Sequence, residues 1–265
     1  MSEQDKAPAT APGQTSPAEA KAPGLAPIDV NEYGGKKDGE RQVMNRRLFM
    51  QLLVFEAMEH PAQRSRELAE KLRHAKIAAI VYDDCNDPRS IGLLSWSEDP
   101  IHFVTRVREV LADESLRALR LRPEFTMLGR TYATGHEPQL AWSLLERPIE
   151  NVTNPALEWA VWYPLRRSGP FSRLEPHDQG MILREHANIG MAYGQLDLAH
   201  DVRLACHGLD TYDNDFVIGL LGKDLHPLSH VVHSMRKTVQ TSQYIEKMGP
   251  FFVGHVAHRV IPSAG

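Results

Sequence analysis

His186 lies in the stretch Met181-Ile182-Leu183-Arg184-Glu185-His186-Ala187-Asn188-Ile189-Gly190-Met191-Ala192-Tyr193, where Ile182, His186, Ile189 and Tyr193 recur at i, i+4, i+7 and i+11. On a helix this spacing is a single stripe, so the imidazole faces inward among apolar neighbours. An inward, neutral imidazole has two ordinary uses. It is a core histidine satisfied by a backbone carbonyl, or an axial ligand to iron held against an apolar wall. Arg203 lies in Val202-Arg203-Leu204-Ala205-Cys206-His207, which alternates: Val202, Leu204 and Cys206 on one face, Arg203, Ala205 and His207 on the other. A strand arginine ordinarily sits on the solvated face. Beside a cavity it becomes a cation aimed at an oxyanion or a carboxylate. Tyr163, in Val161-Trp162-Tyr163-Pro164-Leu165-Arg166-Arg167, points the same way as Val161 and Leu165, either as packing or as a phenol turned toward a site.

The elements that position these residues are legible from periodicity. Residues 48–55 form an apolar run of strand length, 64–72 read as a helix, and 76–82 and 91–96 as strands. Residues 101–111 have helical spacing and 125–128 close the unit, giving the order βαββαβ of a ferredoxin-like half. The order returns with a strand at 159–165, a helix at 178–193, strands at 202–207 and 215–221, a helix at 228–244 and a strand at 251–255. The halves repeat at a constant offset of 127 residues: Ile91-Gly92-Leu93-Leu94 matches Ile218-Gly219-Leu220-Leu221, Pro100 matches Pro227, and Pro123-Glu124-Phe125 matches Pro250-Phe251-Phe252. One such unit leaves a sheet face bare. Two fused units can close those faces into an α/β barrel, with a cavity between one sheet and its helices. The expected fold class is therefore α+β: a 45–150 repeat and a 151–265 repeat that carries the site, after a 1–44 tail too poor in large apolar residues to fold.

Composition removes several classes of function. A formal charge of −4 gives no invitation to nucleic acid or anionic lipid. Two cysteines, Cys85 and Cys206, make no disulfide framework, so a reducing, cytoplasmic setting is expected. No run of 18 apolar residues is present to span a bilayer, and the N-terminus lacks the apolar core of a secretory signal.

Tyr163-Pro164-Leu165-Arg166-Arg167, Leu183-Arg184-Glu185-His186, Gly208-Leu209-Asp210 running into Asp215-Phe216, Met235-Arg236 and Gly249-Pro250-Phe251-Phe252-Val253-Gly254 follow one another in an order that resembles the chlorite dismutase and coproheme decarboxylase family. The resemblance is strong over about 150–256 and architectural in the first half. It implies a haem site containing haem b or coproheme, with His186 as the axial ligand to iron. It implies that Tyr163 is the tyrosine whose radical begins propionate oxidation, and that Arg203 is the distal residue. It implies that Gln240 hydrogen-bonds the proximal histidine and that Arg236, Ser242 and the basic Arg167 lie near haem propionates. A ring-shaped homo-oligomer, usually a pentamer, is implied as well. There is no C-x-x-C-H motif for covalent haem. The chain departs from the pattern in the seventeen residues from His186 to Arg203, a longer interval than the family's. Gln240 often has a carboxylate counterpart, and Ser168-Gly169-Pro170-Phe171-Ser172 stands where chlorite dismutases carry tryptophans.

Three functions follow as expectations. The first is coproheme decarboxylation with peroxide, using Tyr163 and yielding haem b. The second is chlorite dismutation, with Arg203 holding hypochlorite while the oxygen–oxygen bond forms. The third is haem carriage or sensing without turnover, with a haem-free dimerisation module and a structural His186 as its extreme. The absent tryptophans, and Arg167 following the Tyr-Pro pair, favour the first.

Overall fold

The computed structural model describes residues 27–262. The chain through Val30 and the chain from Asn31 onward are separate compact units. Of the first, only 27–30 are described, and they have no regular structure. The second begins with an antiparallel hairpin, β1 (Glu32–Lys37) and β2 (Glu40–Met44). This corrects the expected tail boundary, since residues 32–44 are folded and 1–26 lie outside the described residues. The hairpin escapes an apolar count because it is held by polar groups. Gln42 Nε2 donates to the carbonyls of Gly35, Glu137 and Pro138 at 3.0–3.1 Å, and the Glu32 carboxylate accepts from Arg130 Nη1 and Ala133 N at 2.9 Å.

The first repeat runs β3 (Phe49–Ala57), α1 (Pro61–His74), β4 (Ala79–Asp84), β5 (Ser90–Ser97), α2 (Arg108–Leu111, entered through a wide turn at Phe103–Val107), β6 (Leu119–Leu121) and β7 (Met127–Arg130). After α3 (Arg147–Thr153), the second runs β8 (Trp159–Arg167), α4 (Gly169–Ser172), α5 (Pro176–Gln195), β9 (His200–Ala205), β10 (Phe216–Gly222), α6 (Leu225–Met235), α7 (Val239–Tyr244), β11 (Ile245–Met248) and β12 (Phe252–Val260). The strand orders β4-β5-β3-β7 and β9-β10-β8-β12 are the ferredoxin-like order twice. β12 pairs with β4 along most of its length, and β7 meets β9 at Arg130 and Ala205, which closes an eight-stranded ring. The fused α/β barrel read from the sequence is the fold observed.

Three corrections concern elements. The helix read over 228–244 is two, because Thr238 adopts an extended backbone and its Oγ1 caps α7 by accepting from Thr241 N. The strand read over 125–128 is β7 at Met127–Arg130, and Phe125 ends a 3₁₀ turn ahead of it. A boundary at 150 cuts α3, whose Val152 and Ile149 pack into the barrel interior. That interior takes Met50, Leu52, Ile80 and Leu94 from the first repeat and Trp162, Val202, Leu204 and Phe252 from the second. The two repeats therefore share one core. Gly92 and Gly219, matched by the repeat, serve the same packing need. A Cβ at Gly92 would meet the Phe252 ring, and one at Gly219 the Trp162 ring, each at 2.5 Å.

α1 and the 103–111 helical segment cover the outer face of the first sheet, and α5 and α6 cover that of the second. Cys85 and Cys206 are free thiols, and no helix among the described residues is long and apolar enough to cross a membrane.

Candidate functional site between α5 and the second sheet

The alternation of β8, β9 and β10 sorts their side chains cleanly. Trp162, Val202, Leu204 and Val217 point into the barrel, which leaves Val161, Tyr163, Leu165, Phe216, Ile218 and Leu220 on the outer face. Register then sets the layout. Arg203 lies opposite Ile218, and Ile218 opposite Tyr163, so Arg203 and Tyr163 flank one isoleucine across two strand spacings, roughly 10 Å of backbone.

α5 forms the roof. Its half-buried residues include Ile182, His186, Ile189 and Tyr193, the stripe expected from the sequence. None of its residues is fully buried, so the helix lies over the sheet without sealing against it. His186 Nδ1 is 3.5 Å from Thr238 Oγ1, whose own hydroxyl donates to Met235 O at 2.8 Å. With that proton committed, the hydroxyl faces Nδ1–H with a lone pair and leaves Nε2 free to donate to a metal. Next to it, the Glu185 carboxylate accepts from Val239 N at 2.9 Å, so α5 holds the start of α7. Burial, then the nearby Arg167 and Arg203 guanidiniums, lower the pKa of His186 and keep the imidazole neutral.

Gln240 does not occupy the place expected of it. It is buried, but its Oε1 has no hydrogen-bond partner, and the side chain that meets His186 is Thr238. The break between α6 and α7 brings Thr238 to the imidazole, and a continuous helix would not have done so. Ser242, read as a propionate contact, is exposed and donates its hydroxyl to Thr238 O at 2.8 Å within its own helix.

Tyr163 is buried and stacks on Phe251, with ring centres 4.6 Å apart. Burial raises the phenol pKa above its ordinary value, Asp201 adds to the rise and Arg236 opposes it, so the hydroxyl keeps its proton. Arg236 closes α6, and with Thr241, Ile245, Glu246, Lys247 and Met248 it lines a surface cavity of about 320 Å³. Arg167 is held between Phe171 and Phe216, 4.4 and 4.8 Å from the ring centres, and its buried Nε has no partner. Arg203 remains open, its side chain 43% exposed, but its Nε makes a 2.9 Å ion pair with Asp201. Burial works to raise the Asp201 carboxyl, and Arg203 and Arg147 outweigh it and hold the pKa below the usual carboxylate value.

Four residues at the site were not singled out from the sequence: Asp201, Arg147, Thr238 and Tyr132. Asp201 was legible, since it shares a strand face with Arg203 two residues on. Arg147 contacts Asp201 only through the fold. Tyr132 follows β7 and tilts against Phe216 at 5.5 Å, within the field of Arg203 and Arg167.

The arrangement is a flat apolar floor with a neutral imidazole above it and guanidiniums around it, plus two orphaned polar atoms, Arg167 Nε and Gln240 Oε1. It fits a flat apolar group with anionic edges whose centre accepts a nitrogen donor. Among the described residues no group of three or more His, Cys, Asp or Glu could hold a metal ion.

The family model for chlorite dismutase matches residues 143–257. No curated protein matches the chain. Among solved structures, a protein provisionally called chlorite dismutase TA0507 aligns with a TM-score of 0.63 at 17% identity, over 81% of this chain and 96% of its own. A haem-binding protein from Thermus thermophilus aligns at 0.61 and 15%, over 80% and 91%. A tryptophan-to-phenylalanine variant of the chlorite dismutase of Candidatus Nitrospira defluvii, in complex with cyanide, aligns at 0.62 and 15%, over 81% and 92%. At such identities the structural likeness establishes the fold. The family match over residues 143–257 covers the part of the chain in which the motifs follow one another in order.

Proposed function

We propose that the chain binds an iron porphyrin between α5 and the β8–β9–β10 face, with His186 Nε2 as the protein ligand to iron, and that coproheme is its substrate. The bound iron, reacting with peroxide, supplies the oxidising power. For each propionate the balance is propionate, peroxide and one proton in, and a vinyl group, carbon dioxide and two waters out. Arg167 and Arg236 are the cations placed to hold the carboxylates.

The observation that carries this reading is Tyr163. Its phenol is protonated, fixed by Phe251 and set on the floor of the site beside Ile218. Such a phenol can give up a hydrogen atom and then, as the phenoxyl, take one from the propionate methylene next to the ring. Loss of carbon dioxide and a second electron completes the vinyl. Phenylalanine in the same place would pack equally well and do none of this.

Arg203 sustains a second reading, chlorite dismutation, because part of its guanidinium stays open. Its ion pair with Asp201 weakens that reading, since an incoming anion must share a charge already matched.

The test is mass spectrometry of the porphyrin after adding coproheme and peroxide. Haem b should form with the wild-type protein, and Tyr163→Phe should bind coproheme but leave its propionates intact. Rapid oxygen release from chlorite, together with normal decarboxylation by Tyr163→Phe, would establish the second reading instead.

A further inference from the structure

Tyr193 lies seven residues beyond His186 on the inner stripe of α5, two helical turns or roughly 10 Å along the axis. Its hydroxyl is hydrogen-bonded to His230 Nδ1 on α6, and Ser234 Oγ sits 3.1 Å from the same oxygen. The two rings lie 6.0 Å apart, tilted by 35°. His230 in turn has His226 and His233 beside it, with ring centres at 5.9 and 6.2 Å, and all three histidines are exposed. A half-buried phenol is thus joined to a basic nitrogen that opens onto a row of solvent-facing imidazoles. Nothing in the proposed decarboxylation uses it.

We propose that Tyr193 and His230 form a second redox-active tyrosine site, an outlet for oxidising equivalents that do not reach Tyr163. The inference builds on the reading of the α5 site as an iron-porphyrin site. Removing an electron from a neutral phenol makes its proton strongly acidic, so oxidation is easiest where a base already holds that proton. His230 Nδ1 is such a base, and Ser234 can donate to the phenol oxygen left behind. Among the described residues no base is hydrogen-bonded to the Tyr163 hydroxyl. The step balances: one electron leaves Tyr193 for the porphyrin oxidised by peroxide, the phenol proton moves to His230, and an external one-electron reductant later restores the phenol. Two such electrons and two protons carry one peroxide to two waters. The exposed histidines pass the proton to solvent and back.

The deciding experiment needs no porphyrin. Full-length protein is oxidised by flash-generated tris(bipyridine)ruthenium(III), with persulfate as electron acceptor, and the tyrosyl radical is read by electron paramagnetic resonance. The radical yield should fall about ten-fold in Tyr193→Phe and stay unchanged in Tyr163→Phe. In His230→Gln the rate of formation should fall by about the same factor, because the base that takes the phenol proton is gone, and its slowing in heavy water should disappear. Equal yields in wild type and Tyr193→Phe, or an unchanged rate and isotope effect in His230→Gln, would overturn the proposal. These readings are independent of whether coproheme is the substrate. With haem and peroxide added, Tyr193→Phe should bleach its porphyrin several-fold faster than wild type, and equal bleaching would remove the outlet role.

Discussion

The proposed iron ligand is a single imidazole, and its environment makes its pH behaviour specific. Burial and two guanidiniums lower the pKa of His186 below the ordinary 6.5. The neutral form, which the proposed iron ligation requires, therefore persists into more acidic solution than a free histidine allows. In the window between the lowered folded value and 6.5 the unfolded chain binds the proton that the folded chain refuses, so stability rises with pH there. Porphyrin affinity should hold as the pH falls through 6.5 and drop only below it. Soret titrations over a pH series test this. His186→Ala should lose most porphyrin binding at any pH, and an unchanged absorption spectrum and affinity in that variant would refute the axial assignment. Arg203→Ala should matter little to decarboxylation. It should instead leave Asp201 paired with Arg147 alone, and reduce any chlorite turnover by about ten- to a hundred-fold through loss of a charge-assisted contact. Oxygen-electrode rates separate these outcomes.

Thr238 works at the scale of elements, because one hydroxyl both caps α7 and meets His186. Thr238→Ala should cost about 1 kcal/mol through the lost cap, or roughly 2–4 °C of melting temperature for a unit of this size. It should also leave the imidazole free to rotate, which would broaden the iron–histidine vibration in resonance Raman spectra. Thr238→Ser should restore both. The β1–β2 hairpin gives a second test. A chain lacking residues 1–44 loses the Gln42 bonds to Glu137 and Pro138 and the Glu32 bonds to Arg130 and Ala133. It should be about 2 kcal/mol less stable than a chain lacking residues 1–26. Equal melting temperatures would show that the hairpin adds nothing.

The unit from Asn31 onward is built on a ring of strands with unequal seams. β4 and β12 are joined along Asp84–Ala79 and Gly254–Val260, whereas β7 and β9 meet at one residue pair, Arg130 and Ala205. Fewer ladder bonds make the second seam the easier one to open. Native-state hydrogen exchange should therefore release amides at the ends of β7 and β9 well before those of β4 and β12, and equal protection at both seams would contradict this. β9 carries Arg203 and Asp201, so opening there would disturb the floor of the site directly.

Periodicity by itself determined the two βαββαβ halves, the 127-residue repeat and the inward stripe of α5, because each is a local property of alternating or helically spaced apolar side chains. The faces chosen by Tyr163 and Arg203 follow from the same alternation. Tertiary structure alone decided the rest. The hairpin at 32–44 is held by side-chain-to-backbone bonds to a loop about 95 residues away, and no local pattern carries that. The break at Thr238 is a capping choice inside an otherwise helical run, and it replaced Gln240 with Thr238 beside His186. The partners of Asp201 and Tyr193 likewise come from elements far apart in sequence, Arg147 on α3 and His230 on α6. A residue's type and the direction it faces are set within a few positions of it, but the charge or proton acceptor it meets is set by how the sheet closes and the helices settle on it.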